Sequence, residues 1–292
     1  MMKGSGGNLW PVVISFFLVV SGTGNAGASS ARLNYGFQPG VTYKVTEQHH
    51  DVGKTVTEMN MMGQPQKFET ASDQVSSGTW TAKGVGKEGK GVKLAVEYGQ
   101  HKGGQRWSSN KVQSDDIFAG SSAEVVIHPV KGLVKSVTKP EGDATVGLIY
   151  QGRFAWMPVL PEGFIKKGDS FTHESVMKSG MYNVKTTDEY YLVEVKGSFA
   201  SFDVETKQLM VIKMDQGPGG TGPIQGMALS DMKLVYKGEG TAVFDIKEGI
   251  FIEREGKMSY SNLDSGEGAA AGMAFKTRME GVVKYTWEME RL

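Results

Sequence analysis

Alternation of apolar and polar residues at every second position most constrains how this chain can fold. The segment 92–98 alternates Val, Leu, Val and Tyr with Lys, Ala and Glu, and the segments 41–46 and 283–289 follow the same pattern. Successive side chains of a β-strand point to opposite faces, so this spacing collects the apolar residues on one face. The sequence therefore predicts an all-β protein with a mainly antiparallel curved sheet or open barrel, built from short strands with Gly-rich turns.

Further strands are predicted in the same way along the rest of the chain. They span 123–128, 133–138, 181–186, 190–196, 199–205, 208–214, 232–237, 241–246 and 250–255. One window instead favours a helix, because the apolar residues of 143–157 approximate a helical stripe behind Asp143, which suits an N-cap. Pro158 and Pro161 follow this window. We predict that 143–161 is a connector with a short helix.

Two pairs of segments indicate an internal repeat. "FQPGVTY" at 37–43 aligns with "IKKGDSF" at 165–171, and "SAEVVIHPVKGLVKSV" at 122–137 resembles "TAVFDIKEGIFIER" at 241–254. The second pair has a strand, a short turn and a returning strand in each copy. The predicted organisation is a first β half at 29–142, the connector, and a second β half at 162–292.

The N-terminal residues have the three parts of an export signal. Lys3 precedes the apolar run 10–20, and small residues then lead to Ala28. The apolar run is shorter than the ~20 residues of a spanning helix. We expect a signal peptide at 1–28, a mature chain from about Ser29 with no membrane span, and a periplasmic or secreted location.

Charge and cysteine content exclude several classes of protein. Lys plus Arg and Asp plus Glu are both 32, so no net charge attracts nucleic acid, and we predict no nucleic-acid partner. The chain has no cysteine, which excludes disulfides and a lipid-modified N-terminal cysteine.

The order of four segments resembles a known group of proteins. These segments are "PGVTYKV", "AGSSAEVVIHPVKGLVKSV", "LPEGFIKKGDSF" and "GTAVFDIKEGIFIER". Their order resembles an uncharacterised family of exported bacterial β-proteins, defined as a domain of unknown function. More distantly, it is similar to periplasmic lipoprotein-carrier half-barrels. The family resemblance implies exported β architecture and nothing about activity, because the family has no established catalytic residues to transfer to this chain. The carrier likeness implies a concave apolar face for acyl chains. Many family members look like lipoproteins, and this chain differs by lacking the lipidated cysteine.

The motifs that could carry chemistry are incomplete. His49 and His50 are adjacent at a predicted strand end, so they project to opposite faces and cannot share a metal. "HESVM" at 173–177 lacks the second His of a metalloprotease helix, and the spaced glycines of 84–89 and 217–222 lack the strand and helix of a dinucleotide site. We therefore predict no catalytic residue, no cofactor, no metal and no enzymatic activity.

Two neighbouring predicted strands are rich in methionine on one face. The predicted ligand-binding residues are Met210, Ile212, Met214, Met232, Leu234 and Tyr236. Methionine is flexible and suits both core packing and a binding surface that adapts to apolar ligands. The favoured function is a non-enzymatic binding or envelope-associated protein that carries an acyl chain, another lipid or an apolar small molecule. The alternative is a structural or protein-interaction module with a solid core. A carrier needs a cavity of ~300 Å³ or more, whereas a module is packed throughout.

Overall fold

The structure is a computed structural model in which the described residues form β-strands and connecting turns. It describes residues 30–61, 63–107, 110–114, 122–139, 157–178, 182–212, 228–229, 231–262, 266–270 and 273–292. The strands are β1 (Ser30–Arg32), β2 (Thr42–Met61), β3 (Gln64–Glu88), β4 (Gly91–Trp107), β5 (Asn110–Ser114), β6 (Ser122–His128), β7 (Gly132–Lys139), β8 (Phe164–Lys166), β9 (Ser170–Lys178), β10 (Tyr182–Lys196), β11 (Phe199–Ile212), β12 (Ala228–Leu229), β13 (Met232–Asp245), β14 (Ile250–Asn262), β15 (Gly266–Ala270) and β16 (Met273–Arg291).

One antiparallel sheet of 14 strands dominates the fold. Its order is β7-β6-β4-β3-β2-β16-β14-β13-β11-β10-β9, with β5 beside β4 and with β15 joining β12 to β16. The sheet is curved, and its outer strands β7 and β9 do not pair, so it does not close. A separate short pair is formed by β1 and β8. This architecture confirms the predicted all-β, antiparallel curved sheet. Within the described residues, no helix has the length and apolar character needed to cross a membrane.

The strands are much longer than the sequence predicts. β2 has 20 residues and β3 has 25. The predicted strands 181–186 and 190–196 belong to β10, apart from residue 181, which lies outside the described residues. The predicted strands 232–237 and 241–246 belong to β13, apart from residue 246, which is in the following turn. The prediction of short strands is wrong because backbone pairing continues through residues whose polar side chains interrupt the apolar alternation.

The predicted connector and repeat are only partly within the described residues. The helix predicted at 143–157 lies outside them apart from Met157. Gly40 and Gly168 have positive φ angles of 84° and 88° in turns that each precede a strand, a conformation that glycine adopts without steric cost. The division into two related halves stays a prediction, which superposition of 29–142 on 162–292 will test.

A hydrophobic core fills one end of the concave face. The segment 33–41 crosses this end, where Tyr35 donates its backbone N–H to Pro129 O (2.7 Å) and its hydroxyl to Pro158 O (3.0 Å). Trp80 and Phe202 are completely buried beneath it. The cavity left in this core has a volume of about 10 Å³. That is no more than the ~10–15 Å³ that one water molecule needs, so this end is densely packed.

Glycines in β13 and β14 allow these two strands to approach closely. A Cβ atom at Gly240 would overlap the carbonyl oxygen of Glu255 and lie 2.9 Å from Gly256 Cα. The two strands therefore approach more closely than side chains permit, which is a typical role of glycine within a strand. The curvature of the sheet brings the inner faces of β10 and β14 towards each other, so that Arg254 reaches Asp188.

Candidate functional site

The concave face changes chemical character along β9, β10 and β11. Every second residue faces inward, and the register aligns these residues into rows across the strands, ~6.6–6.8 Å apart. From the core outward, the four rows are the core row (Phe171, Tyr190, Val204), the charged row (His173, Asp188, Thr206), the polar row (Ser175, Thr186, Gln208) and the outer apolar row (Met177, Val184, Met210).

A buried ion pair lies at the charged row. The Arg254 guanidinium reaches from β14 to Asp188 on β10, with Nη2 and Oδ1 3.2 Å apart. Asp188 also accepts a hydrogen bond from Thr206 Oγ1 (2.6 Å), and Arg254 Nη1 donates to the Tyr190 hydroxyl (3.1 Å). The side chains of Arg254 and Asp188 are only 9% and 5% exposed. Each charge is therefore held by a partner in an almost dry environment.

Tyr190, beside this pair, stays neutral. Burial raises the pKa of Tyr190 well above its usual range, although the nearby Arg254 charge lowers it in part. The Arg254 carbon Cζ lies 5.7 Å from the ring centroids of both Tyr190 and Tyr285, which is within the range of cation–π attraction. The protonated Tyr190 hydroxyl can thus accept a hydrogen bond from Arg254 while the guanidinium keeps its charge. This network forms a polar boundary between the packed core and the outer half of the concave face.

A cavity of about 210 Å³ lies on the outer side of this boundary. Its lining side chains come from the charged, polar and outer apolar rows and from three facing strands. They are His49, Ser175, Met177, Val184, Thr186, Asp188, Thr206, Gln208, Met210, Arg254, Met258 and Tyr285. The cavity therefore has an apolar wall rich in methionine and a hydrogen-bonding floor.

A pair of tyrosines continues the polar row towards β14. Tyr236 is opposite Gln208 in the β11–β13 register, and its ring centroid lies 5.1 Å from that of Tyr260. The Tyr260 hydroxyl donates to Asp51 Oδ1 (3.0 Å). Burial, with a smaller contribution from the Asp51 charge, raises the pKa of Tyr236 to about 12. Gly281 leaves the space that the Tyr260 ring occupies.

The structure places the predicted methionine strands side by side. Met210 is opposite Leu234, and Ile212 is opposite Met232, so these side chains share the concave face as predicted. Met210 lines the cavity. Met214 lies outside the described residues. That these residues bind a ligand stays a prediction.

Several lining residues were missed by sequence reasoning. Met177 lies in the segment that resembled a protease motif, and the alternation of 182–190 contained the signal for Val184. Arg254 gave no such signal. The register shifts between Val243 and Phe244, which face Glu253 and Phe251. This bulge adds one residue to β14 and thereby turns Arg254, rather than Glu253, towards the concave face.

The histidines lie within a strand rather than at its end. β2 continues to Met61, so the predicted strand end is wrong. Their opposite projection is confirmed, because His49 lines the cavity whereas His50 Nε2 lies 2.8 Å from Asp73 Oδ1 on the other face. Among the described residues, no group of three or more His, Asp or Glu side chains is arranged to hold a metal. That the protein binds no metal stays a prediction.

The "HESVM" segment and the first set of spaced glycines lie within the described residues, whereas the second set of glycines does not. "HESVM" lies in strand β9 rather than in a helix, and His173 Nδ1 accepts a hydrogen bond from the backbone N–H of Val159 (3.3 Å). Of the glycines of 84–89, Gly84 and Gly86 lie near the end of β3, and Gly89 lies in the hairpin turn between β3 and β4. The glycines of 217–222 lie outside the described residues.

Comparisons with known proteins leave the function open. No protein-family model matches the sequence, and no curated protein matches it significantly. A structure of lipid–protein interactions in lipovitellin is similar at 9% identity and a TM-score of 0.47, over 87% of this chain and 26% of that chain. This chain thus spans about a quarter of the lipovitellin chain that it matches.

Two structures of Pseudomonas proteins are less similar. OccK7 (OpdD) of Pseudomonas aeruginosa has 7% identity and a TM-score of 0.21, over 86% of this chain and all of that chain (100%). An outer membrane channel of Pseudomonas putida F1 has 8% identity and a TM-score of 0.19, over 92% of this chain and 100% of that chain. Such low similarity assigns no function, and the resemblance to an exported family stays a prediction.

Proposed function

We propose that this protein is a non-enzymatic binding protein for an acyl chain or another apolar molecule, and that the ligand occupies the cavity on the concave face. The observation that carries this proposal is the cavity of about 210 Å³ beside Met177, Val184 and Met210. Protein interiors contain few voids larger than a water molecule, and the core at the other end of this sheet follows that rule. An apolar space of this size is far larger than the voids of a module packed throughout, and it is below the ~300 Å³ expected for a carrier, so it favours a carrier of a small or partly inserted ligand.

The size and lining of the cavity limit the ligand. Its volume is below the ~300 Å³ at which pockets for drug-sized molecules begin. A single short acyl chain, or one end of a longer chain, fits this space better than a bulky lipid. Each buried methylene contributes about 0.8 kcal/mol. Met177, Met210 and Met258 supply flexible, polarizable contacts that suit chains of different shape.

The charged groups of the cavity support a binding role over catalysis. A catalytic site needs a nucleophile or a base that can exchange a proton with a substrate. Arg254 and Asp188 are instead paired with each other, and Thr206 and Tyr190 bond to the same pair. These contacts favour a fixed polar floor, and we propose that the protein has no enzymatic activity.

Fluorescence of N-phenyl-1-naphthylamine, a neutral apolar dye, tests the proposal. We expect the wild-type protein to bind the dye and Met210→Glu to lose at least about tenfold in affinity, because a carboxylate in the apolar wall is desolvated. The matched control is Leu209→Glu. Leu209 is the adjacent residue of β11, is 38% exposed, and faces the opposite side of the sheet.

The outcomes separate the two functions proposed for this fold. Loss of dye binding in Met210→Glu alone, with the free energy of unfolding of both variants measured by urea titration, supports the cavity as the ligand site. Equal binding by both variants places the dye elsewhere. If the wild-type protein binds no apolar dye, the carrier is rejected and the structural or protein-interaction module remains.

A further inference from the structure

We infer that the ligand is an amphiphile with an uncharged, hydrogen-bonding end, such as a hydroxyl, an amide or an ester. This end lies against the polar row, and its apolar chain lies along the outer apolar row. The inference rests on the proposed function and names the chemical class of the ligand. It follows from how the register orders polarity inside the cavity.

The polar and apolar parts of the lining are segregated. Along β11, Gln208 and Met210 are successive inward residues, and on β10 the same two rows contain Thr186 and Val184. The Thr186 hydroxyl donates to Gln208 Oε1 (3.2 Å). Hydroxyl and amide groups supply both donors and acceptors. A pure hydrocarbon would cover these groups with atoms that cannot form hydrogen bonds, which costs free energy.

The charge of the lining disfavours an ionised end. Among the described lining residues, Arg254 is the only Lys or Arg side chain and Asp188 is the only carboxylate, and the two form an ion pair across 3.2 Å. Glu47, buried on the same concave face, adds no positive charge. A carboxylate entering this cavity would lose its hydration without meeting an excess of positive charge. An ammonium group would meet an Asp188 that already has a cationic partner.

Matched ligands of one chain length distinguish these classes. Decanol, decanamide, decanoate and decylammonium compete with N-phenyl-1-naphthylamine for the wild-type protein at neutral pH, where the last two are charged. We expect decanol and decanamide to displace the dye at concentrations at least about tenfold lower than either ion.

A single hydroxyl locates the polar end. Thr186→Val keeps the side-chain shape and removes the hydroxyl, so it is expected to weaken decanol binding about threefold to tenfold, a larger factor than for dye binding. Thr187→Val is the control, because Thr187 is the next residue of β10 and faces the other side of the sheet. It is expected to change neither affinity.

The possible results separate this inference from the proposed function. If decanoate binds as tightly as decanol, or if Thr186→Val binds decanol like the wild type, the inference is overturned. The proposed function survives both results, provided that dye binding still depends on Met210. If the wild-type protein binds no dye, the proposed function fails and the inference fails with it.

Discussion

His49 and His50 are consecutive residues of β2 whose side chains lie on opposite faces of the sheet. His50 Nε2 lies 2.8 Å from Asp73 Oδ1, whereas His49 lines the cavity opposite Tyr285 in the β2–β16 register. The sheet thus separates two imidazoles that are neighbours in the chain. One metal ion cannot reach both from this backbone geometry.

The purified protein is therefore expected to contain no stoichiometric zinc. A structural zinc site needs four ligands, typically His and Cys, and this chain has no cysteine. Mass spectrometry of the metal content should give the same value for the wild type and for a variant in which His49 and His50 are both Ala. Zinc at one equivalent that disappears in the double variant would contradict this prediction.

Removal of Arg254 alone is expected to destabilise the fold strongly. Arg254→Met leaves the buried Asp188 carboxylate without its cation, which typically costs about 3–5 kcal/mol of unfolding free energy. The double variant Arg254→Met with Asp188→Leu should lose less unfolding free energy than Arg254→Met alone, because no uncompensated charge remains. Urea titration measures both values.

An exposed ion pair provides the control. Lys44 Nζ and Glu290 Oε1 are 3.0 Å apart, with side chains 41% and 61% exposed. Lys44→Met is expected to change the unfolding free energy by about 0–1 kcal/mol, as is usual for surface pairs. A double variant at Arg254 and Asp188 that is less stable than Arg254→Met would refute the role given to the buried charge.

Gly240→Ala is expected to destabilise the protein by about 2 kcal/mol or more. Its methyl group would overlap the backbone of β14 at Glu255, and backbone atoms cannot rotate away as side chains can. Gly86→Ala is the control, because nothing lies within 4 Å of a Cβ atom at that position of β3. Thermal or urea unfolding should show a small effect for Gly86→Ala. Equal effects would mean that the close approach of β13 and β14 does not require glycine.

Asp51 is expected to make the stability depend on pH. Burial raises the pKa of Asp51 above its ordinary value of 3.8, although the Tyr260 hydrogen bond and the His50 charge lower it in part. The folded state thus holds the proton more tightly than the unfolded state. This contribution is fully present below pH 3.8 and is lost as the pH rises through the higher folded pKa.

Asp51→Asn should remove this dependence. The variant is expected to be more stable than the wild type at neutral pH, and the difference should vanish below pH 3.8. Urea titrations across the acidic range measure it, with the exposed Asp203→Asn as the control. If the unfolding free energy of the wild type instead rises with pH relative to that of Asp51→Asn, the prediction is wrong.

The sequence predicts the fold class well because strand alternation depends only on local geometry. It predicts the shared face of Met210, Ile212, Met232 and Leu234 for the same reason. The alternation fails at the bulge before Arg254, because one added residue reverses the direction of every later side chain in the strand. The cavity could not be predicted either, since it depends on the curvature of the sheet, which brings β14 towards β10. Long-range geometry of this kind leaves no periodic signal.

The pairing of β2 with β16 has a consequence for how the chain folds. Register partners run from Tyr43 with Arg291 to Met61 with Met273, so the middle of the sheet joins segments far apart in the sequence. Neighbouring strands elsewhere in the large sheet are closer in the sequence, whereas this ladder requires closure of a very long loop. Such non-local pairing slows folding, because the entropy of loop closure is lost before the contacts repay it. We expect the strands on either side of the β2–β16 ladder to gain structure early, and this ladder to form in the rate-limiting step. Until then, the unpaired edges of β2 and β16 stay exposed and can pair with other chains.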